Sequence, residues 1–389
     1  FVMFSFYIAN PRTNTRNNMI TIQVRIMCEQ QFCALIRDAM NYNPDTLDLY
    51  KDTQAATYWF QCFRNLIVKF ASQAEASQYD QESSTVVQRA EQFRSAYLQK
   101  LEEYEERAGY ASENNTTLGT RELLGLNEIL LRRYGFADPW QKQKQAENEA
   151  ALVLLEERLK ELDGIESTLE RWTELVRGVL AGNMFDWGAQ AVSEILENDK
   201  TFGLHAALER IQQRPWLMDD LDAWLDRVRQ PVAHKCALIF VDNSGVDVVL
   251  GILPFARELL KRGTKVLLAA NTEPSLNDVT SSELRDIIDI SCSHCDVLTQ
   301  AKATQQLLVF ENGQGDPCLD MRRLPRELCQ AIVDNETDLL VIEGMGRALH
   351  TNLHAKFSCE TLKLAAIKNK WLANRLGGDT FAVMCKYES

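Results

Sequence analysis

Asp242 and Asn243 stand side by side where the apolar run Ala237-Leu238-Ile239-Phe240-Val241 gives way to a Ser244-Gly245 turn. A carboxylate beside an amide offers hard oxygen donors, the kind that hold Mg2+ or Mn2+. A second oxygen-rich pair, Asn277-Asp278, follows the apolar run from Lys265 to Ala270 after a short polar loop. A third run, Leu339 to Ile342, ends in Glu343-Gly344-Met345-Gly346-Arg347. Two aspartates and an amide around a cation leave positions open for water and substrate, as phosphate chemistry requires. Gly344 and Gly346 permit close backbone approach to a phosphate, and the Arg347 guanidinium fork matches one. Read alone, Asp242 or Asn243 suits the cap of a following helix equally well. The glycine turn is not a dinucleotide fingerprint, because Ala348 and Leu349 follow and no third glycine arrives.

The elements that must position these side chains read as strands alternating with helices. Val248 to Arg262 carries apolar residues at helical spacing and stops at Gly263, a suitable C′ residue. Further strands are expected at Gln306 to Phe310, Leu362 to Ile367 and Phe381 to Cys385. Strands separated by helices imply right-handed crossovers and a largely parallel sheet. Ligands in such sheets bind outside the carboxyl ends of the strands, where all three oxygen-rich loops lie. Before residue 233 the periodicity is helical, over Ala55 to Ala71, Ser83 to Ala108, Leu123 to Arg133, Gln145 to Leu162 and Leu169 to Leu180. Asp138-Pro139 is expected to open the fourth of these helices. The fold class is therefore α/β. A helical N-terminal domain (42–232) packs on a Rossmann-like α/β/α domain (233–389), and residues 1–41 form a flexible extension.

Composition narrows the function. A net charge of −13 over 389 residues, with a pI near 5.0, argues against nucleic acid as a partner. No run approaches the ~18 apolar residues of a membrane span. The ten cysteines follow no framework, which fits reduced thiols in the cytoplasm. A first residue of Phe suggests a fragment or processed form of a longer product, and a homo-oligomer is left open. Cys292-Ser293-His294-Cys295 is too crowded to hold zinc. His350 and His354 stand four apart without the glutamate a metalloprotease helix needs, so they read as structural. By spacing alone Lys368 reads as a solvated surface lysine, although from its strand end it would reach a phosphate in the crevice. Asp247 is either an acid favouring the helix dipole or a proton-transfer group.

These stretches together resemble the metal-dependent damage-control phosphatases, and within them the branch fused to pantothenate kinase in animals. Phe240-Val241-Asp242-Asn243-Ser244-Gly245 and Glu343-Gly344-Met345-Gly346-Arg347 carry the resemblance most strongly. Tyr42-Asn43-Pro44-Asp45-Thr46, Asp138-Pro139 with Glu147-Asn148-Glu149, and Ala181 to Gly188 add to it. It runs from about Tyr42 to Tyr387. It implies hydrolysis of small phosphate monoesters, with 4′-phosphopantetheine and its oxidised or sulfonated forms favoured, and so a restraint on coenzyme A synthesis. It implies Asp242, Asn243 and Asp278 as metal ligands, with Mn2+ foremost and Mg2+, Co2+ or Ni2+ as alternatives. No kinase half is present, so the chain is a stand-alone form or a piece of a fusion with a pantothenate kinase-like domain.

In the mechanism this implies, the held cation activates a water, or Asp242 attacks phosphorus directly. Asp247 moves a proton. Ser244 and the exposed Gly245 amide, with Gly344, Met345, Gly346, Arg347 and Lys368, hold the phosphate, while Asn183 and Asp186 approach from the helical half. A sugar-phosphate phosphatase and a catalytically silent interaction module are the rival readings.

Overall fold

Successive side chains of a strand point to opposite faces, and in Cys236-Ala237-Leu238-Ile239-Phe240 all of them are apolar. Such a segment is stable only with a layer packed on each side. In the computed structural model, which describes residues 33–78, 83–108, 117–186 and 203–389, this segment lies inside a seven-stranded sheet. The strands are β1 (Met218–Asp219), β2 (Cys236–Phe240), β3 (Lys265–Ala270), β4 (Leu307–Glu311), β5 (Leu339–Glu343), β6 (Glu360–Ile367) and β7 (Ala382–Glu388). Their order is β1-β7-β6-β5-β2-β3-β4, and only the β6/β7 pair is antiparallel. From β2 the chain moves outward through β3 to β4, then returns to lay β5 on the other side of β2. The loops after β2 and β5 therefore part company, which opens a crevice at their carboxyl ends.

The helices are α1 (Thr53–Ser77), α2 (Ser83–Ala108), α3 (Thr120–Arg133), α4 (Gln141–Asp163), α5 (Thr168–Gly182), α6 (Leu204–Arg210) and α7 (Leu221–Arg229). After β2 come α8 (Leu253–Lys261), α9 (Ser281–Cys292), α10 (Asp296–Ala303), α11 (Arg326–Asp334) and α12 (Lys370–Arg375). The helices before β2 do not sit apart from the sheet. Ala237 and Ile239 share a core with Leu155, Trp172, Val179 and Trp224 from α4, α5 and α7. Leu238 and Phe240 share the opposite core with Phe63, Phe93 and Leu123 from α1, α2 and α3. The helical half thus contributes layers to both faces of one sheet.

Several boundaries differ from expectation. Met218–Asp219 pairs with β7 and so extends the sheet into the stretch expected to be helical. Residues 33–41, expected within a flexible extension, pack on the body of the protein. Cys33, Leu35 and Ile36 are buried, and the Ser358 amide donates to the Leu35 carbonyl (2.8 Å). The rest of that extension, 1–32, lies outside the described residues. Asp138-Pro139 precedes α4 instead of opening it. The Asp138 carboxylate accepts from the Trp140 amide (3.2 Å) and pairs with Lys144 (2.9 Å), which holds a turn ahead of the helix.

Two wide turns flank the crevice. The helix expected from Val248 begins as a π-helical turn, Asp247–Ile252, in which Leu253 bonds back to the Val248 carbonyl. Met345–His350 is a second, in which the Thr351 amide reaches the Gly346 carbonyl (3.0 Å). Wide turns of this kind are rare and recur at functional sites. No helix among the described residues is long and apolar enough to cross a membrane.

Candidate active site

Three loops meet at the carboxyl edge of the sheet because their backbones are bonded together. Val279 donates to the Asp242 carbonyl and Ser244 to the Asn277 carbonyl, both at 2.9 Å, and Asn243 bridges Asp278. The Asp242 amide donates to Glu343 Oε2 (3.0 Å), which joins the end of β5 to the end of β2. Gly344 follows with φ of 106°, and a Cβ at that position would collide with the Asp242 carboxylate. Close approach is therefore what the glycine serves, but the group it admits is a protein carboxylate. At Gly346 the approaching group is the Pro317 carbonyl.

The side chains form a buried lattice of charge. Asn183, at the C-terminus of α5, spreads its amide over Asp242 Oδ2 (2.9 Å), Glu343 Oε1 (2.6 Å) and Asp247 Oδ2 (3.3 Å). Asn243 Nδ2 ties Asp242 Oδ2 (3.0 Å) to Asp247 Oδ2 (2.7 Å). Asp247 Oδ1 is buried without a partner. Oxygens of Asp242, Asp247 and Glu343 lie within 4.8 Å of one another, and all three residues are buried. Burial raises the pKa of Glu343 well above the usual carboxylate range, reinforced by the Asp247 charge, and burial raises Asp247 as well. Two neighbouring buried acids in this state share a proton more readily than both ionise.

Two cations answer this acidity. Arg347 is fully buried. It donates from one terminal nitrogen to Asp242 Oδ1, and from the other to Asp278 Oδ2 (2.8 Å) and Asn271 Oδ1 (3.0 Å). Its Nε has no partner. Burial lowers its pKa, but with two carboxylates on its nitrogens the guanidinium stays charged. Lys368, expected from spacing to be a solvated surface residue, is instead 2% exposed. Its Nζ donates to the Asn183 carbonyl (2.7 Å) and pairs with Asp186 Oδ2 (2.9 Å), contacts made across 185 and 182 residues of sequence.

Asp186, Asp242, Asn243, Asp278 and Lys368 form the charged end of a cavity of about 340 Å³. That volume is near the low end of the range for small-molecule sites, roughly 300–1,000 Å³. Met345 and Gly346 line it as well. Much of the remaining lining is apolar, with Tyr58, Trp59, Phe63 and Leu66 from α1. Five expected phosphate contacts, Ser244, Gly245, Gly344, Arg347 and Asn183, do not line this space. The Gly245 amide, expected to be exposed, is buried and donates to Asn148 Oδ1 (2.6 Å). The reason is that α4 packs on the turn, where its Glu147 touches Gly245. Ser244 is buried in the zipped loop, with its hydroxyl unpartnered, and does not line the cavity. Glu343 and Asn271 were given no role in the sequence reading. Both are strand-end positions (Asn271 directly follows β3), so the rule that located Asp242 would have found them.

Comparison with known proteins identifies the family. Residues 60–383 match the damage-control phosphatase ARMT1-like domain. The chain is 40% identical to the 4′-phosphopantetheine phosphatase of Mus musculus, over 91% of this chain and 48% of that protein. It is 41% identical to pantothenate kinase 2 of Arabidopsis thaliana, over 91% of this chain and 41% of that one. It thus spans less than half the length of these two relatives. With damage-control phosphatase At2g17340 of Arabidopsis thaliana it shares 37% identity, over 87% of this chain and 90% of the relative. A DUF89 family protein from Pyrococcus horikoshii shares the fold, with a TM-score of 0.54 at 16% identity, covering 85% of this chain and 98% of that one. The chain belongs to the damage-control phosphatase family with the ARMT1-like domain.

Proposed function

We propose that the protein is a divalent-metal-dependent phosphatase of small phosphate monoesters, with 4′-phosphopantetheine and its oxidised or damaged forms as preferred substrates. The observation that carries this reading is the cavity itself. It gathers buried oxygen donors and the Lys368 ammonium beside apolar side chains of α1 that fit an uncharged arm, with Arg347 paired to Asp242 and Asp278 outside the lining. Removing such phosphates would restrain coenzyme A synthesis. The nine cysteines among the described residues are free, which fits a reducing compartment such as the cytoplasm.

The residues present fit a hard divalent cation. The donors are all oxygen, and Asp242 stands in a buried cluster with Asp247 and Glu343 whose oxygens lie within 4.8 Å of one another, one of them, Asp247 Oδ1, without a hydrogen-bond donor. Asp242, Asn243 and Asp278 would hold the ion, with Mn2+ preferred and Mg2+, Co2+ or Ni2+ as substitutes. When bound, such an ion polarises a phosphoryl oxygen and lowers the pKa of a coordinated water. The protein supplies the rest. Lys368 and Arg347 place positive charge beside the phosphate, and such electrostatic positioning carries most phosphoryl transfer. Asp247 accepts or returns a proton, sharing it with Glu343. Asn183 fixes Asp242, Asp247 and Glu343 relative to one another, and Asp186 holds Lys368 in place.

A phosphate-release assay with 4′-phosphopantetheine beside sugar phosphates, with each divalent ion added in turn, tests this reading. Faster turnover of a sugar phosphate would overturn the substrate assignment. Full activity in excess chelator, with metal removal confirmed by elemental analysis, would overturn the metal site.

A further inference from the structure

The cavity wall that α1 faces contains two rings whose nitrogens have no hydrogen-bond partner among the described residues. Trp59 and His350 both line it and are 4% and 6% exposed. The Trp59 indole N–H is buried without an acceptor. The His350 ring nitrogens make no hydrogen bond among the described residues. The two rings meet edge to face, with centroids 5.0 Å apart at 77°, so both groups belong to one patch of wall. Polar groups nearby are already committed. Asn369 donates to the Tyr58 hydroxyl (2.7 Å) and accepts from the Leu372 amide (2.9 Å). An unpaired buried donor costs stability unless something satisfies it, so the Trp59 indole N–H, beside a histidine whose ring nitrogens have no partner among the described residues, marks a place for a ligand. Burial, with Lys368 nearby, holds the His350 pKa down to about 4, so the imidazole is neutral and offers one donor and one acceptor.

We infer that Trp59 and His350 are specificity-determining residues that recognise a secondary amide on the uncharged arm of the substrate, while the Asp242 end receives its phosphate. The inference rests on the phosphatase reading above and names the part of the substrate that its apolar end reads. The indole N–H suits the amide carbonyl, and the imidazole acceptor suits the amide N–H. Phe63 and Leu66 on α1 cover the carbon segments between polar groups. A polyhydroxylated arm would turn most of its hydroxyls against apolar side chains, and so would bind poorly.

The test compares two esters on the metal-loaded full chain: 4′-phosphopantetheine, and an alkyl phosphate of matched length without amides. Trp59→Phe and His350→Phe each keep an aromatic ring and remove the polar atom. Each should lower kcat/KM for 4′-phosphopantetheine tenfold or more, mostly through KM, and leave the alkyl ester within about twofold. Equal losses on both esters, or no loss on either, would overturn the inference. Melting curves on the same preparations report folding, and Trp59→Phe carries the test alone if His350→Phe does not fold. If the parent fails to hydrolyse 4′-phosphopantetheine, the substrate reading fails and this inference falls with it. If the parent hydrolyses it and the variants show no selective loss, only the inference fails.

Discussion

Glu128 offers a prediction whose size follows from its surroundings. It lies on α3, is buried, and has one hydrogen bond, from Asn127 Nδ2 (3.0 Å). Burial pushes its pKa from 4.5 up to about 8; Asp316 and Asp138 add to the rise, while the Asn127 bond and Arg132 oppose it. Folding therefore takes up a proton in the window between those two values, because the unfolded carboxyl is ionised there and the folded one is not. Stability falls as pH rises through that window, at ~1.4 kcal/mol per pH unit. By pH 7 the loss relative to a neutral isostere reaches about 3 kcal/mol. Glu128→Gln keeps an acceptor for Asn127 and removes the titration. It should match the parent near pH 4.5 and melt roughly 3–6 °C higher at pH 7. Calorimetry across this range, in chelator so that no bound cation shifts the carboxyl, is the assay. An offset that does not change with pH, or a parent that is more stable at pH 7, would refute the reasoning.

Three further outcomes are expected. Asp278→Asn should fold, with its melting temperature within a few degrees of the parent, and lose at least a hundredfold in kcat/KM; wild-type turnover would remove Asp278 from the site. Arg347→Lys should lower kcat/KM tenfold to a hundredfold, roughly 1.4–2.7 kcal/mol, because an ammonium cannot span Asp242 and Asp278 together. Unchanged kinetics with only a lowered melting temperature would assign Arg347 a purely structural role. Lys368→Met should fill the same buried space but release Asp186 and the Asn183 carbonyl, lowering kcat with both ends of the cavity intact; a kcat within twofold of the parent would separate Lys368 from the chemistry.

The strands were legible because buried parallel strands are continuous apolar runs, and Lys265–Ala270 was bounded correctly from that signal alone. Met218–Asp219 was not, since two residues carry no period. The π-helical turns were also invisible, because widening one turn leaves the apolar face nearly where an α-helix would put it. Asp242, Asn243 and Asp278 stood out from their places in the loops after β2 and β3, and these loops bring them to one cavity. Lys368 was misjudged because its burial depends on Asp186 and Asn183, which are brought to it only by the way α5 packs on the sheet. Gly245 failed for the same kind of reason. Its amide is occupied by Asn148, about a hundred residues away, and nothing local announces that partner. The spacing of His350 to His354 gives no sign that His350 lines the cavity, since that depends on α1 packing against its turn.

The position of Arg347 follows from the energetics of buried charge. Asp242, Asp247, Asp278 and Glu343 are all 5% exposed or less, and carboxylates so placed cannot all remain ionised without counter-charge. The Asp247–Glu343 pair relieves part of the repulsion by holding a proton. Asp242 lies within 4.8 Å of that pair, and the guanidinium between it and Asp278 supplies further compensation, with Asn271 fixing its second terminal nitrogen. A divalent cation held by Asp242 and Asp278 would draw on the same oxygens. On the proposed reading Arg347 would compete with the ion for these oxygens, from a position outside the cavity lining. Whatever charge the ion brings to the carboxylates lessens their hold on the guanidinium and leaves it freer to meet an anionic ester. This makes Arg347→Lys informative beyond its kinetics. A lysine satisfies one carboxylate and leaves the other in need of positive charge, so the variant should bind Mn2+ more tightly than the parent even as it turns over more slowly. Weaker binding together with slow turnover would mean that Arg347 only builds the metal site and does not compete for it.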